Sequence, residues 1–114
     1  MDEQKFRSYI EMIRSDNSVT YEQGFWSLIY DVPQFKDELI QLMQAEQNPQ
    51  VRAKFIELLG DAKDPKVIPL LVAQLEHPDA EVRYWAVLSL EYFGLPEAKE
   101  IAERYKAEHP EQWE

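Results

Sequence analysis

One pattern of punctuation is written twice in this chain. Val51-Arg52 and Val82-Arg83 stand 31 positions apart, and Asn48-Pro49 and His77-Pro78 stand 29 apart. Between them runs the same order of apolar helix, turn and second apolar helix. A fixed period of this size marks a stacked helical repeat, because one such unit cannot bury its own apolar face and needs neighbours to do so.

Periodicity fills in the rest. Phe6, Tyr9, Ile10 and Ile13 fall at i, i+3, i+4 and i+7, one apolar stripe on a first helix over 3–15 capped by Asp2. The cluster Ser15-Asp16-Asn17-Ser18 stops it. Thr20 and Gln23 read as a capping box for a second helix over 21–31, which carries Phe25, Trp26, Leu28 and Ile29. Gly24 costs that helix about 1 kcal/mol of propensity or else marks a close approach by another helix. Pro33 is expected to close it, since the residue before proline is pushed out of helical geometry.

A third helix follows over 35–46, with Phe35, Leu39, Leu42 and Met43 inward. Asn48-Pro49 supplies an N-cap and a first-turn proline for the fourth, where Val51, Phe55, Leu58 and Leu59 form the stripe and Gly60 suits a left-handed cap. Asp64-Pro65 opens a fifth helix with Val67, Leu70, Leu71 and Leu75 inward. His77-Pro78 opens a sixth over 79–93, with Val82, Ala86, Ser89, Leu90 and Phe93 as its core line. Gly94 caps it. The seventh, over 97–108, buries Ala98, Ile101, Ala102 and Tyr105 and carries the surface pair Glu100 and Arg104. His109-Pro110 then echoes His77-Pro78, and Trp113 is expected to fold back over the end of the stack.

These signals predict one domain. Residues 1–19 form an N-terminal capping helix, 20–47 a degenerate repeat, 48–76 and 77–108 two clear repeats, and 109–114 a tail. The residues Val51-Arg52, Leu58-Leu59-Gly60-Asp61, Asp64 to Leu71, Leu75 and His77 to Arg83 together resemble the HEAT repeat, in the short form of the phycobilisome lyases. The resemblance covers residues 48–108 well and 20–46 weakly. It implies an all-α fold, a right-handed α-solenoid block of antiparallel helix pairs with about seven helices. It also implies a protein-binding ridge or groove on the second helix of each pair. In this chain that ridge draws on Asp37, Gln41 and Gln44, then Lys66, Ala73, Gln74 and Glu76, then Glu100 and Glu103. Where the family often places aspartate before the opening proline, this chain has Asn48 and His77. An acid–arginine ladder through Arg52 and Arg83 is therefore in question; other carboxylates or solvent are the alternatives.

Charge narrows the partners. The chain holds 22 acids and 12 bases, a formal charge of −10, with nine acids and four bases in residues 1–46 and thirteen and eight in the remainder. Neither part hides a basic arm, so phosphate backbones and anionic membranes are repelled while cationic proteins are attracted. The acidic N-terminus lacks a signal pattern, and no apolar run approaches the roughly 20 residues needed to span a bilayer, which points to the cytoplasm.

Catalytic patterns do not emerge. The three glycines are isolated, cysteine is absent, and the two histidines lie about one repeat apart, so neither a phosphate loop, a thiol nucleophile nor a metal site is expected. No cofactor is expected either. The most specific feature is a second stripe on the sixth helix. Trp85, Leu88 and Tyr92 share one side beside Tyr84, and the positions 31 earlier are the polar Lys54, Glu57 and Asp61. Two readings stay open: an end cap packed by Trp113 or the tail, and an aromatic hot spot for a partner. The expected function is a non-catalytic protein-binding module, monomeric when free, and specifically a small acidic inhibitor or immunity-type protein for a basic partner. A scaffold or adaptor subunit is the alternative, and a bilin-lyase-like protein a further one.

Overall fold

The computed structural model describes residues 1–112, and Trp113, the expected end cover, lies outside them. Seven α-helices follow one another: α1 Glu3–Ile13, α2 Ser18–Leu28, α3 Val32–Ala45, α4 Pro49–Leu59, α5 Ile68–Gln74, α6 Ala80–Tyr92 and α7 Pro96–Glu108. Short 3₁₀ turns at Ile29–Asp31, Pro65–Val67 and Pro110–Gln112 join or follow them. The fold is an all-α stack of HEAT-like helices.

Caps explain most of the starts. Asp2 accepts from the Lys5 N–H at 2.8 Å, and the Asn48 Oδ1 accepts from Gln50 at 2.9 Å. Asp79, rather than the His77-Pro78 step, caps α6 by accepting from Glu81 at 2.9 Å; His77 Nδ1 in turn accepts from the Asp79 N–H. The α2 cap is Asn17, which accepts from the Thr20 N–H at 3.1 Å. The capping box expected at Thr20 thus gives way to a better acceptor three residues earlier, and Ser18 is the first helical residue instead of a turn.

Pro33 does not end α2. That helix stops at Leu28, a 3₁₀ turn absorbs the change of direction, and Val32 takes up helical angles as the start of α3, where proline in the first turn lacks no needed donor. Phe35 leaves helical geometry at φ −110°, ψ 19°, which bends α3, and its ring stacks on Phe6 of α1 at 4.3 Å.

α4 is the central element. Val51, Ala53, Phe55, Ile56, Leu58 and Leu59 are all buried, so the helix is covered on more than the single stripe expected of it. α6 lies alongside in the same direction: Gln50 and Glu81 share one end of the contact, while Gly60, Ser89 and Tyr92 share the other. Close approach is secured by the Ser89 hydroxyl, which donates to the Ile56 carbonyl at 2.8 Å. Gly60 is right-handed (φ −59°), not left-handed, and its missing side chain leaves room for Ser89: a Cβ there would stand 3.3 Å from the Ser89 Cα.

The two repeat arginines find neither carboxylates nor open solvent. Arg52 donates to the backbone carbonyls of Gln44 and Glu46 at the C-terminal end of α3, and its Nε and Nη2 both reach Gln74 Oε1, at 3.1 and 2.9 Å. Arg83 donates to the carbonyls of His77 and Pro78 at 2.8 and 2.7 Å. Each guanidinium therefore satisfies carbonyls after the preceding helix, a task that needs no acid at the position before proline.

Candidate functional site

α2 meets α4 at its N-terminal half, where Tyr21 pairs with Glu57. It packs chiefly on α1, and the space left beside it is a cleft of about 480 Å³. Phe25, Trp26, Ile29 and Tyr30 line it from one part of the chain and Trp85, Leu88, Ser89 and Tyr92 of α6 from another, with Glu57 of α4 and Gly60 and Asp61 of the turn after it completing the lining.

The walls are rings with open edges. Trp26, Tyr30 and Tyr92 are 62, 86 and 73% exposed, while Trp85 is half-buried against the core. Phe25 meets Trp26 edge-on at 5.5 Å. Tyr84 touches Trp85 edge-on at 5.6 Å, yet it stands apart from the residues lining the cleft. The stripe expected on α6 is thus divided. Trp85, Leu88 and Tyr92 line the cleft with α2, and Tyr84 flanks it.

The base of the cleft is acidic. Tyr21 donates its hydroxyl to Glu57 Oε1 at 2.9 Å, and Lys54 sits over the Tyr21 ring at 4.4 Å while donating to the carbonyls of Ile13 and Ser15 at the end of α1. Burial raises the Glu57 carboxyl above the ordinary range, against a lowering by the Tyr21 hydrogen bond, and the neighbouring Asp61 raises it further. Burial likewise raises Asp61, which Lys63 partly offsets. Burial also raises the Tyr21 phenol, with help from the Glu57 charge. Two carboxylates are therefore held beside aromatic faces at some electrostatic cost.

The residues expected on the second helices behave differently. Asp37, Gln41 and Gln44 are exposed on α3, Glu76 is exposed after α5, and Glu100 and Glu103 are exposed on α7. Gln41 belongs to a separate cleft between α1 and α3, lined also by Phe6, Arg14 and Phe35. Gln74 is a correction. It is buried, its carbonyl oxygen accepts from Arg52 and its amide donates to Leu70, so it presents nothing to a partner. The Glu100–Arg104 pair forms on the α7 surface at 2.9 Å.

A family profile for HEAT repeats matches residues 37–112. The chain belongs to the HEAT-repeat family. No curated protein matches it. HEAT repeats typically serve protein–protein interaction or scaffolding and are typically non-enzymatic, and the aromatic cleft adds a specific feature to that general role. Among the described residues there is no cluster of three or more potential metal ligands, and no helix is long and apolar enough to cross a membrane.

Sequence reasoning gave only half the cleft. Trp26 and Tyr30 were the missing wall, and a signal for them exists. Phe25-Trp26 and Ile29-Tyr30 are adjacent pairs, and neighbours on a helix point about 100° apart. A helix covered on one side only cannot bury both members of each pair, so Trp26 and Tyr30, at i and i+4, share a second side that such a helix leaves open.

Proposed function

We propose that this HEAT block is a non-catalytic, cytoplasmic binding module for a basic protein, and that it grips the partner through the cleft between α2 and α6. The observation that carries this is the pairing of exposed rings (Trp26, Tyr30, Tyr92) with the carboxylates of Glu57 and Asp61 in one concavity. Large rings anchor interfaces because each buries much area with little conformational freedom to lose. The formal charge of −10 supports a cationic partner by speeding encounter at low salt. A small inhibitor of the immunity type, blocking a basic toxin, is the specific form this reading takes. A scaffold subunit indifferent to partner charge is less favoured, because it gives no reason to keep carboxylates beside the rings.

Affinity capture from the protein's own cells tests the proposal, comparing the wild type with a Trp26→Ser, Tyr92→Ser double variant at low and high salt. Both positions are exposed, so folding is expected to survive. The expected result is a basic polypeptide retained at low salt, weakened at high salt and lost with the variant. Recovery of no basic polypeptide at either salt, or equal recovery by the variant, contradicts it.

A further inference from the structure

The described residues that line the α2/α6 cleft include two acids and no lysine, arginine or histidine, in a chain that carries 12 lysines and arginines. Lys54, one turn before Glu57 on α4, is committed to Tyr21 and to the carbonyls of Ile13 and Ser15. The Asp61 carboxylate accepts no hydrogen bond from a described side chain, and Glu57 has only the neutral Tyr21 hydroxyl. The cleft thus presents negative charge and aromatic rings together, with no basic side chain among its described lining residues.

We infer that the cleft is a receptor for one cationic side chain, the guanidinium of arginine or the ammonium of lysine, inserted between Trp26 and Trp85 and facing Asp61. The chemistry selects this occupant against others. An apolar side chain would leave the carboxylates desolvated and unpaired, which is unfavourable. An anion would be repelled. A cation gains from both the rings and the charge, and arginine's flat guanidinium can stack on a ring while its edge N–H groups donate to a carboxylate. Burial already raises the proton affinity of Glu57 and Asp61, so a cation placed beside them offsets a desolvation that the fold imposes. A volume of about 480 Å³ leaves room for a side chain with part of its backbone.

This inference rests on the basic-partner reading and refines it. The test is a titration of the full chain followed by ¹H–¹⁵N NMR of the Trp26 and Trp85 indole N–H signals. The probes are N-acetyl-arginine amide, N-acetyl-lysine amide and the neutral N-acetyl-citrulline amide. Saturable shifts are expected with at least one cationic probe at millimolar concentration. Citrulline is expected to bind about tenfold more weakly than arginine, and Asp61→Asn to weaken the cation by a similar factor. Tyr92→Leu, at an exposed position, serves as a second variant, with a thermal melt to confirm that each variant folds. Three results overturn the inference: no saturable shift from either cation, citrulline matching arginine, or Asp61→Asn binding as the wild type does. The two readings fail separately. A basic protein captured equally well by Asp61→Asn and by wild type leaves the module intact and removes the cation receptor. Probe binding with no captured protein does the reverse.

Discussion

At the scale of single residues, Gly24 and Asp61 answer different demands. A Cβ on Gly24 would lie 2.8 Å from the Met12 Cβ and 2.9 Å from the Tyr9 carbonyl oxygen, so α1 and α2 cross where only hydrogen fits. Propensity alone would favour alanine by about 1 kcal/mol. The clash is the larger effect, since it pushes on backbone, and Gly24→Ala is expected to destabilise the chain by about 1–3 kcal/mol in urea unfolding. A neutral or stabilising result would mean that the helices can separate at no cost. Asp61 is the opposite case. Its carboxyl is raised by burial, so the native state favours the protonated form. The stability associated with it is full below the ordinary carboxylate pKa of 3.8 and is lost as pH rises through the raised native value. Asp61→Asn is therefore expected to be more stable than the wild type at pH 7, by about a few tenths of a kcal/mol after solvent screening. That advantage should vanish toward pH 3. Lower stability at pH 7 would show that Asp61 has a structural partner. A stability cost at Asp61, beside exposed rings, is what the proposed binding role calls for.

Among the helices, the turns were more legible than the junction between α2 and α3. Asn48-Pro49 and Asp64-Pro65 carry their own local chemistry, a side-chain acceptor followed by a residue with no N–H to satisfy, and both starts were readable without any neighbour. The end of α2 was not. Pro33 looks like a stop signal, yet the 3₁₀ turn at Ile29–Asp31 makes it the second residue of a new helix. What decides this is tertiary: bending α3 at Phe35 lets its ring meet Phe6. The role of the repeat arginines was equally hidden, because the carbonyls they serve belong to the preceding helix or the turn after it. Arg52 donates to Gln44, Glu46 and Gln74 at once, a fan of directions that an ammonium on a flexible stem does not reproduce. Arg52→Lys is expected to cost about 1–3 kcal/mol in the same unfolding assay, for it strands the buried Gln74. A change within error of wild type would mean that the guanidinium fork is dispensable.

Across the whole molecule, a body of 42 × 27 × 22 Å is built on α4 and α6 side by side, with α2 packed chiefly on α1 and joined to α4 through Tyr21. The stacked core was legible along each helix's apolar stripe and less so where Ala53, Ile56 and Val87 add a second buried side or Ala62 joins from a turn. The cleft was only half legible, because its two walls lie about sixty positions apart in sequence and no period links Trp26 to Trp85. Of the polar Lys54, Glu57 and Asp61, in register with Trp85, Leu88 and Tyr92, the two acids line that cleft, while Lys54 is turned to Tyr21. The central claim is that the cleft stands open and negative in the free protein. Of the three tryptophans, Trp26 and Trp113 can be changed to phenylalanine to leave Trp85 as the sole emitter. Its quenching by caesium, iodide and neutral acrylamide then reads access and local charge in one measurement. The account predicts that acrylamide reaches Trp85 and that caesium quenches it more efficiently than iodide. Protection from acrylamide, or iodide quenching at least as well as caesium, would contradict it.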